Sequence, residues 1–183
     1  MTDHRRVSRR RFFQLTSSVA VATSGALSGG CGRFQPEVVL SASERRTFEA
    51  LADQIIPPDQ DAGGKDAGLA DFIDRQLRGP HKRYLPVYHD GLARLDQTSQ
   101  QLHQRAFADL PFDTQTHVLV RIEKDQVPPG IWKPGEAPEF FRLAIDHCMQ
   151  GYYGSPRHGG NRNAASWKML RLDYPQLAGR VVL

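Results

Sequence analysis

Pro138-Glu-Phe-Phe-Arg-Leu-Ala-Ile-Asp-His-Cys-Met149 decides the fold. Phe140, Phe141, Leu143, Ala144, Ile145, Cys148 and Met149 make it the most apolar segment behind the N-terminal thirty residues, and their spacing is helical rather than alternating. Pro138 falls near the first turn, where a missing N–H costs little. We therefore expect a central helix here. Cys148 lies on its apolar face and His147 on a different one.

Working outward, each neighbouring stretch repeats the helical period between recognisable stops. Ser41 or Ser43 caps a helix carrying Phe48, Leu51, Ala52, Ile55 and Ile56, and Pro57-Pro58 ends it. Asp59 to Asp66 superficially resembles a calcium loop, but the twelfth position is Ala70 rather than Glu, which favours an ordinary solvated loop. A second helix is expected over 68–77, burying Leu69, Phe72, Ile73 and Leu77 before Gly79-Pro80. A third is expected over 85–107, with Tyr88, Leu92, Leu95 and Leu102 on one stripe. Leu110-Pro111-Phe112 breaks the chain, and Asp113 or Thr114 starts a fourth helix with Val118, Leu119 and Ile122. Gln126 to Gly135 reads as a proline-rich loop with an exposed Trp132. No convincing alternating strand is present, so the fold class is all-α: one helical-bundle domain of about five helices.

The N-terminus has a separate logic. His4, Arg5 and Arg6 precede Ser8-Arg9-Arg10-Arg11-Phe12-Phe13, and a mild apolar run follows from Leu15 to Leu27. This is the order of a cleavable twin-arginine export signal, with Arg9, Arg10 and Phe12 as its determinants; the translocase reads it as an address, not an anchor. The run of about thirteen residues is well short of the roughly twenty that span a bilayer. The organisation is thus 1–30 signal peptide, 31–42 tether and 43–183 helical domain, and the address implies a periplasmic protein.

Removing the signal changes the electrostatics. The whole chain has 24 basic and 20 acidic residues, a net charge of +4 and a pI near 9.3. Five of those arginines and Asp3 lie in the first thirty residues, leaving 19 of each sign behind them. The basic pI belongs to the signal, and nucleic-acid binding loses its support. Cys31 follows Leu27-Ser28-Gly29-Gly30, where either lipidation of Cys31 or simple small-residue cleavage near Gly30 fits. Cys148 then has three readings: a buried thiol, which its helical face favours, a bridge to Cys31, or a thiol facing a partner.

No apparatus for catalysis is readable. A c-type haem needs Cys-x-x-Cys-His and a dinucleotide turn needs Gly-x-Gly-x-x-Gly between strand and helix, and neither occurs. His81, His89, His103, His117, His147 and His158 never pair at zinc-ligand spacing, and no Gly-x-Ser-x-Gly elbow marks a nucleophile. The expectation is no catalytic, metal-binding or cofactor-binding residue in this chain.

One unusual stretch remains, Gln150 to Lys168. It concentrates four glycines, adjacent tyrosines, a tryptophan and three cations in what reads as a C-terminal loop. Tyr152, Tyr153, Arg157, Arg162 and Trp167 suit a protein interface, where rigid rings and guanidinium groups anchor. The same composition also suits a loop that packs its aromatics back onto the bundle.

Phe48-Glu-Ala-Leu-Ala-Asp-Gln-Ile-Ile-Pro57, Gly68-Leu-Ala-Asp-Phe-Ile-Asp74, Gly151-Tyr-Tyr-Gly154, Gly159-Gly-Asn-Arg162 and Trp167-Lys168 together resemble the gluconate 2-dehydrogenase subunit 3 family. The sequence departs at Ala165-Ser166 and at Arg171 to Pro175, where members more often carry glycine. The resemblance implies a twin-arginine-exported, chaperone-like accessory subunit of a sugar or sugar-acid dehydrogenase. Its partners would be a large FAD-dependent subunit of the glucose-methanol-choline (GMC) type and, often, a cytochrome c subunit. The FAD would belong to the large subunit, and membrane attachment would come only through the complex or a lipid on Cys31. Two alternatives from other classes are a stand-alone periplasmic lipoprotein and a sugar-acting enzyme using His158 with an acidic residue.

Overall fold

In the computed structural model the described residues are 39–172, so Arg9, Arg10, Phe12 and Cys31 lie outside them. Those residues form six α-helices joined by loops and 3-10 turns, with no strand among them. Helix α1 spans Ala42–Ile55. Ser41 caps it: its Oγ accepts from the Glu44 N–H while the Glu44 carboxylate accepts from the Ser41 N–H at 2.7 Å, satisfying two amides that the helix cannot. Helix α2, Leu69–Arg78, starts from Gly68 at φ 79°, and a 3-10 turn over Lys82–Tyr84 delivers the chain to α3, Leu85–His103.

Helix α3 ends four residues before its expected end. Gln104 turns left-handed at φ 57°, and Phe107 sits in its own 3-10 turn, Phe107–Asp109. Asp96 on α3 accepts the Phe107 N–H at 2.9 Å, and the ring behind that amide is fully buried. Helix α4 runs over Phe112–Glu123, directly from Pro111.

Helix α5, Glu136–Tyr153, packs against α1, α2, α3, α4 and α6 and is the central helix. Its inner face buries Phe140, Ala144, Cys148 and Tyr152 among Phe48, Leu51, Ile73, Leu77, Leu92, Val118 and Ile122. Two glycines permit the close approaches. A Cβ on Gly91 would stand 2.2 Å from the Phe140 ring, and one on Gly151 would stand 2.7 Å from Phe72. Gly151, expected in a loop, therefore belongs to helical packing, and α5 continues through both tyrosines. Trp132 is a further correction: it is buried, not exposed. Its Nε1 donates to Thr98 Oγ1 at 2.9 Å, which satisfies the one polar atom that would have kept the indole near water.

Candidate functional site

Beyond α5 the chain makes 3-10 turns at Pro156–His158 and Arg162–Ala164 and the short helix α6, Ala165–Met169. Hydrogen bonds lock this segment to the end of α5. Asn161 is fully buried; its Nδ2 donates to the Gly154 carbonyl at 2.8 Å and its Oδ1 accepts the Ser166 N–H at 3.0 Å. Ser166 Oγ donates to the Tyr152 carbonyl at 2.6 Å, and Trp167 Nε1 donates to the Tyr153 carbonyl at 3.0 Å. Gly160 is needed here, because a Cβ would meet the Gly151 carbonyl at 2.4 Å.

A second clasp ties the segment to α2. Arg162 donates to Asp71 at 2.7 Å, and Arg45 from α1 donates to the other oxygen of the same carboxylate at 2.7 Å. Burial pushes the Asp71 carboxyl up, but Arg45 and then Arg162 outweigh it and hold it below the usual aspartate range. Gly68, left-handed at φ 79°, lies beneath the guanidinium, where a Cβ would approach Arg162 to 3.1 Å.

A groove of about 520 Å³ opens between α3 and α5. Gly91, Phe140 and Trp132 line it, and Arg94 stands over the Trp132 ring, 5.7 Å from its centroid, while pairing with Glu136. Below this wall Tyr88 Oη and His147 Nδ1 share a hydrogen bond of 2.9 Å. The His81 ring stacks on His147 at 4.5 Å. Burial, followed by His81, lowers the His147 pKa from 6.5 to about 4, so the imidazole is neutral at neutral pH. Burial alone pushes the Cys148 thiol well up, which withholds the thiolate that metal binding or nucleophilic attack would need. Cys148 is a free thiol in the core, as its helical face suggested, and not one turned toward a partner. Among the described residues no group of three His, Cys, Asp or Glu side chains is placed to hold a metal, and no helix is long and apolar enough to cross a membrane.

A family model described as gluconate 2-dehydrogenase subunit 3 matches residues 42–173. The chain belongs to the gluconate 2-dehydrogenase subunit 3 family. Neither a curated protein nor a solved structure matches it. The match starts on the first residue of α1 and takes in all six helices, so both clasps of this subunit 3 and its groove lie inside the family region. Residues 1–41, with the twin-arginine motif, lie outside it.

The five interface candidates divide within the subunit 3 fold. Tyr152 and Trp167 have their rings inside the bundle, and Tyr152 donates its hydroxyl to the Ala62 carbonyl at 2.8 Å. Arg162 is engaged by Asp71. These three hold the segment down, which is the packing-back alternative at those positions. Tyr153 and Arg157 reach solvent. His158 is also exposed, and its Nε2 accepts from Arg157 Nε at 3.1 Å; among the described residues no carboxylate pairs with it. Sequence reasoning missed the exposed apolar side chains around Tyr153. Met149 belongs to the apolar set of the central helix yet is exposed, and Met169, Leu170 and Leu172 carry no periodic signal.

Proposed function

We propose that this subunit 3 is a non-catalytic accessory subunit. It binds the FAD-dependent, GMC-type large subunit of a periplasmic sugar or sugar-acid dehydrogenase, helps it mature, and supplies the twin-arginine address for both chains. The observation that carries this reading is the family match across all six helices of the bundle. The core chemistry supports it: the buried histidine is neutral and bonded to Tyr88, and the buried thiol is held protonated.

The address follows from Ser8-Arg9-Arg10-Arg11-Phe12-Phe13 at the N-terminus. The twin-arginine route carries folded cargo, so a flavoprotein can take up FAD first and leave on a signal borne by its small subunit. Lipid on Cys31 would tether the complex, and a cytochrome c subunit would receive its electrons. The test is co-expression with the large subunit. Arg9→Lys with Arg10→Lys should leave the flavoprotein in the cytoplasm with this chain; full export of the flavoprotein beside the double variant would refute the shared address.

A further inference from the structure

Five of the eight large hydrophobic side chains exposed among the described residues lie at one end of the bundle. Met149 and Tyr153 sit one turn apart on the same face of α5, while Met169, Leu170 and Leu172 belong to α6 and the turn after it; each is between 36 and 50 % exposed. The Trp167 and Ser166 hydrogen bonds to the last turn of α5 hold the two groups together on one frame.

Between Asp146 and Asp173 the chain supplies charge of a single sign. From His147 to Leu172 the chain has no Asp or Glu, and it has Arg157, Arg162, Lys168 and Arg171. Arg75 on α2 adds another cation, since it donates to the Arg157 carbonyl at 3.3 Å. The carboxylates of α2 offer no neutralisation: Asp71 is held by Arg45 and Arg162, and Asp74 by Arg78 at 3.1 Å. Asp59 and Asp61 act on the Tyr152 hydroxyl, and the Tyr152 ring meets the Tyr153 ring edge-on at 5.2 Å, so these two carboxylates border the face on its Tyr152 side.

We infer that this apolar face, rimmed by Arg157, Lys168 and Arg171, is the surface on which the large flavoprotein subunit docks, and that the matching surface of that subunit is apolar at its centre and carboxylate-rich at its edge. The inference rests on the accessory-subunit reading and adds to it the place and charge of the contact. Exposed methionine, tyrosine and arginine, contributed by a stretch that has no acid of its own, is the composition of an interface centre. A membrane is the poorer fit. Helix α6 has five residues, less than two turns, where a lipid-surface helix needs a long continuous amphipathic face. The face is also fixed in place by buried Asn161 and Ser166.

The experiment measures binding of the full chain to the purified FAD-dependent large subunit at low and high salt. The variants are Arg157→Glu with Lys168→Glu, Tyr153→Ala, and Arg105→Glu, an exposed cation in the turn after α3, as control. The double reversal should weaken binding about tenfold or more at low salt, with the gap closing as salt rises. Tyr153→Ala should weaken it about thirtyfold at either salt, the size of an anchor loss. The control should bind like the parent, and all variants should melt at the parental temperature. Parental affinity in both surface variants would overturn the docking surface while leaving the accessory-subunit reading intact. Failure of the unaltered chain to bind would remove that reading and the docking surface with it. Three further results would assign the face elsewhere and also overturn the inference, provided flavoprotein binding is unchanged: loss of binding to anionic vesicles, loss of self-association, or a gain in dye binding at the face after deletion of residues 173–183.

Discussion

Acidification from about pH 7.5 to pH 4.5 should remove roughly 2.5 kcal/mol of stability through His147 alone. The imidazole is 3 % exposed. The rings of His81 at 4.5 Å, Tyr84 at 5.3 Å and Tyr88 at 5.8 Å surround it. Burial is the main reason its pKa falls to about 4, His81 and Arg83 add to the depression, and Asp146 opposes it without prevailing. Because the folded pKa lies below the unfolded value of 6.5, the unfolded chain takes the proton first as pH falls. The contribution is complete above pH 6.5 and is lost on the way down to about pH 4. A gap near 2.5 units at about 1.4 kcal/mol each totals roughly 3 kcal/mol, most of it gone by pH 4.5. Glu44 and Asp71 are held below their usual ranges, so their losses fall mainly at lower pH. The assay is urea denaturation followed by far-UV circular dichroism at four pH values. His147→Gln keeps an acceptor for the Tyr88 hydroxyl and removes the titration, so its stability should stay nearly flat over this range. Parallel curves for the two proteins would refute the buried-neutral assignment.

Gly91→Ala pushes a methyl into Phe140 at 2.2 Å and should cost about 1–3 kcal/mol in a thermal melt, with part returned by Phe140→Leu in the same chain. Asp71→Asn releases both Arg45 and Arg162; with Asp71 38 % exposed, screening limits the loss to about 1 kcal/mol, and urea denaturation should show a smaller loss at high salt than at low. In a Cys31→Ala background, Cys148 should resist Ellman's reagent in the folded protein and react only on unfolding; reaction in native buffer at the rate of a free thiol would contradict its burial.

What was legible in the sequence is what neighbours along the chain decide. Ser41 and Glu44 are three residues apart and cap α1, Pro57 stops it, and the apolar period through Phe48, Leu51 and Ala52 is the face that is buried. What stayed hidden depends on partners far along the chain. Trp132 is drawn inward because Thr98, on α3, accepts its N–H. The early end of α3 becomes necessary only once Asp96 takes the Phe107 amide and seats that ring in the core. Asp71 and Ala62, which hold Arg162 and Tyr152, are separated from them by far more than a helical turn.

The glycine- and aromatic-rich segment shows why composition alone leaves two readings open, an interface and a loop packed back onto the bundle. Glycine at 151 and 160 permits contact between backbones of the same chain, and the rings of Tyr152 and Trp167 fill that contact from inside. Rigid rings and close-approach glycines serve an internal seam by the same physics that serves an interface between chains, so their presence alone does not say which is being built. The run from His147 to Leu172 without a carboxylate of its own is different. A seam stabilised by hydrogen bonds and packing has no need of uniform charge, and an isolated surface is not improved by a run of cations in the same segment as exposed Tyr153, Met169 and Leu170. Once the seam accounts for Tyr152, Trp167 and Arg162, what is left of the segment's charge is Arg157, Lys168 and Arg171, which form no ion pair among the described residues and are the cations on which the proposed docking surface relies.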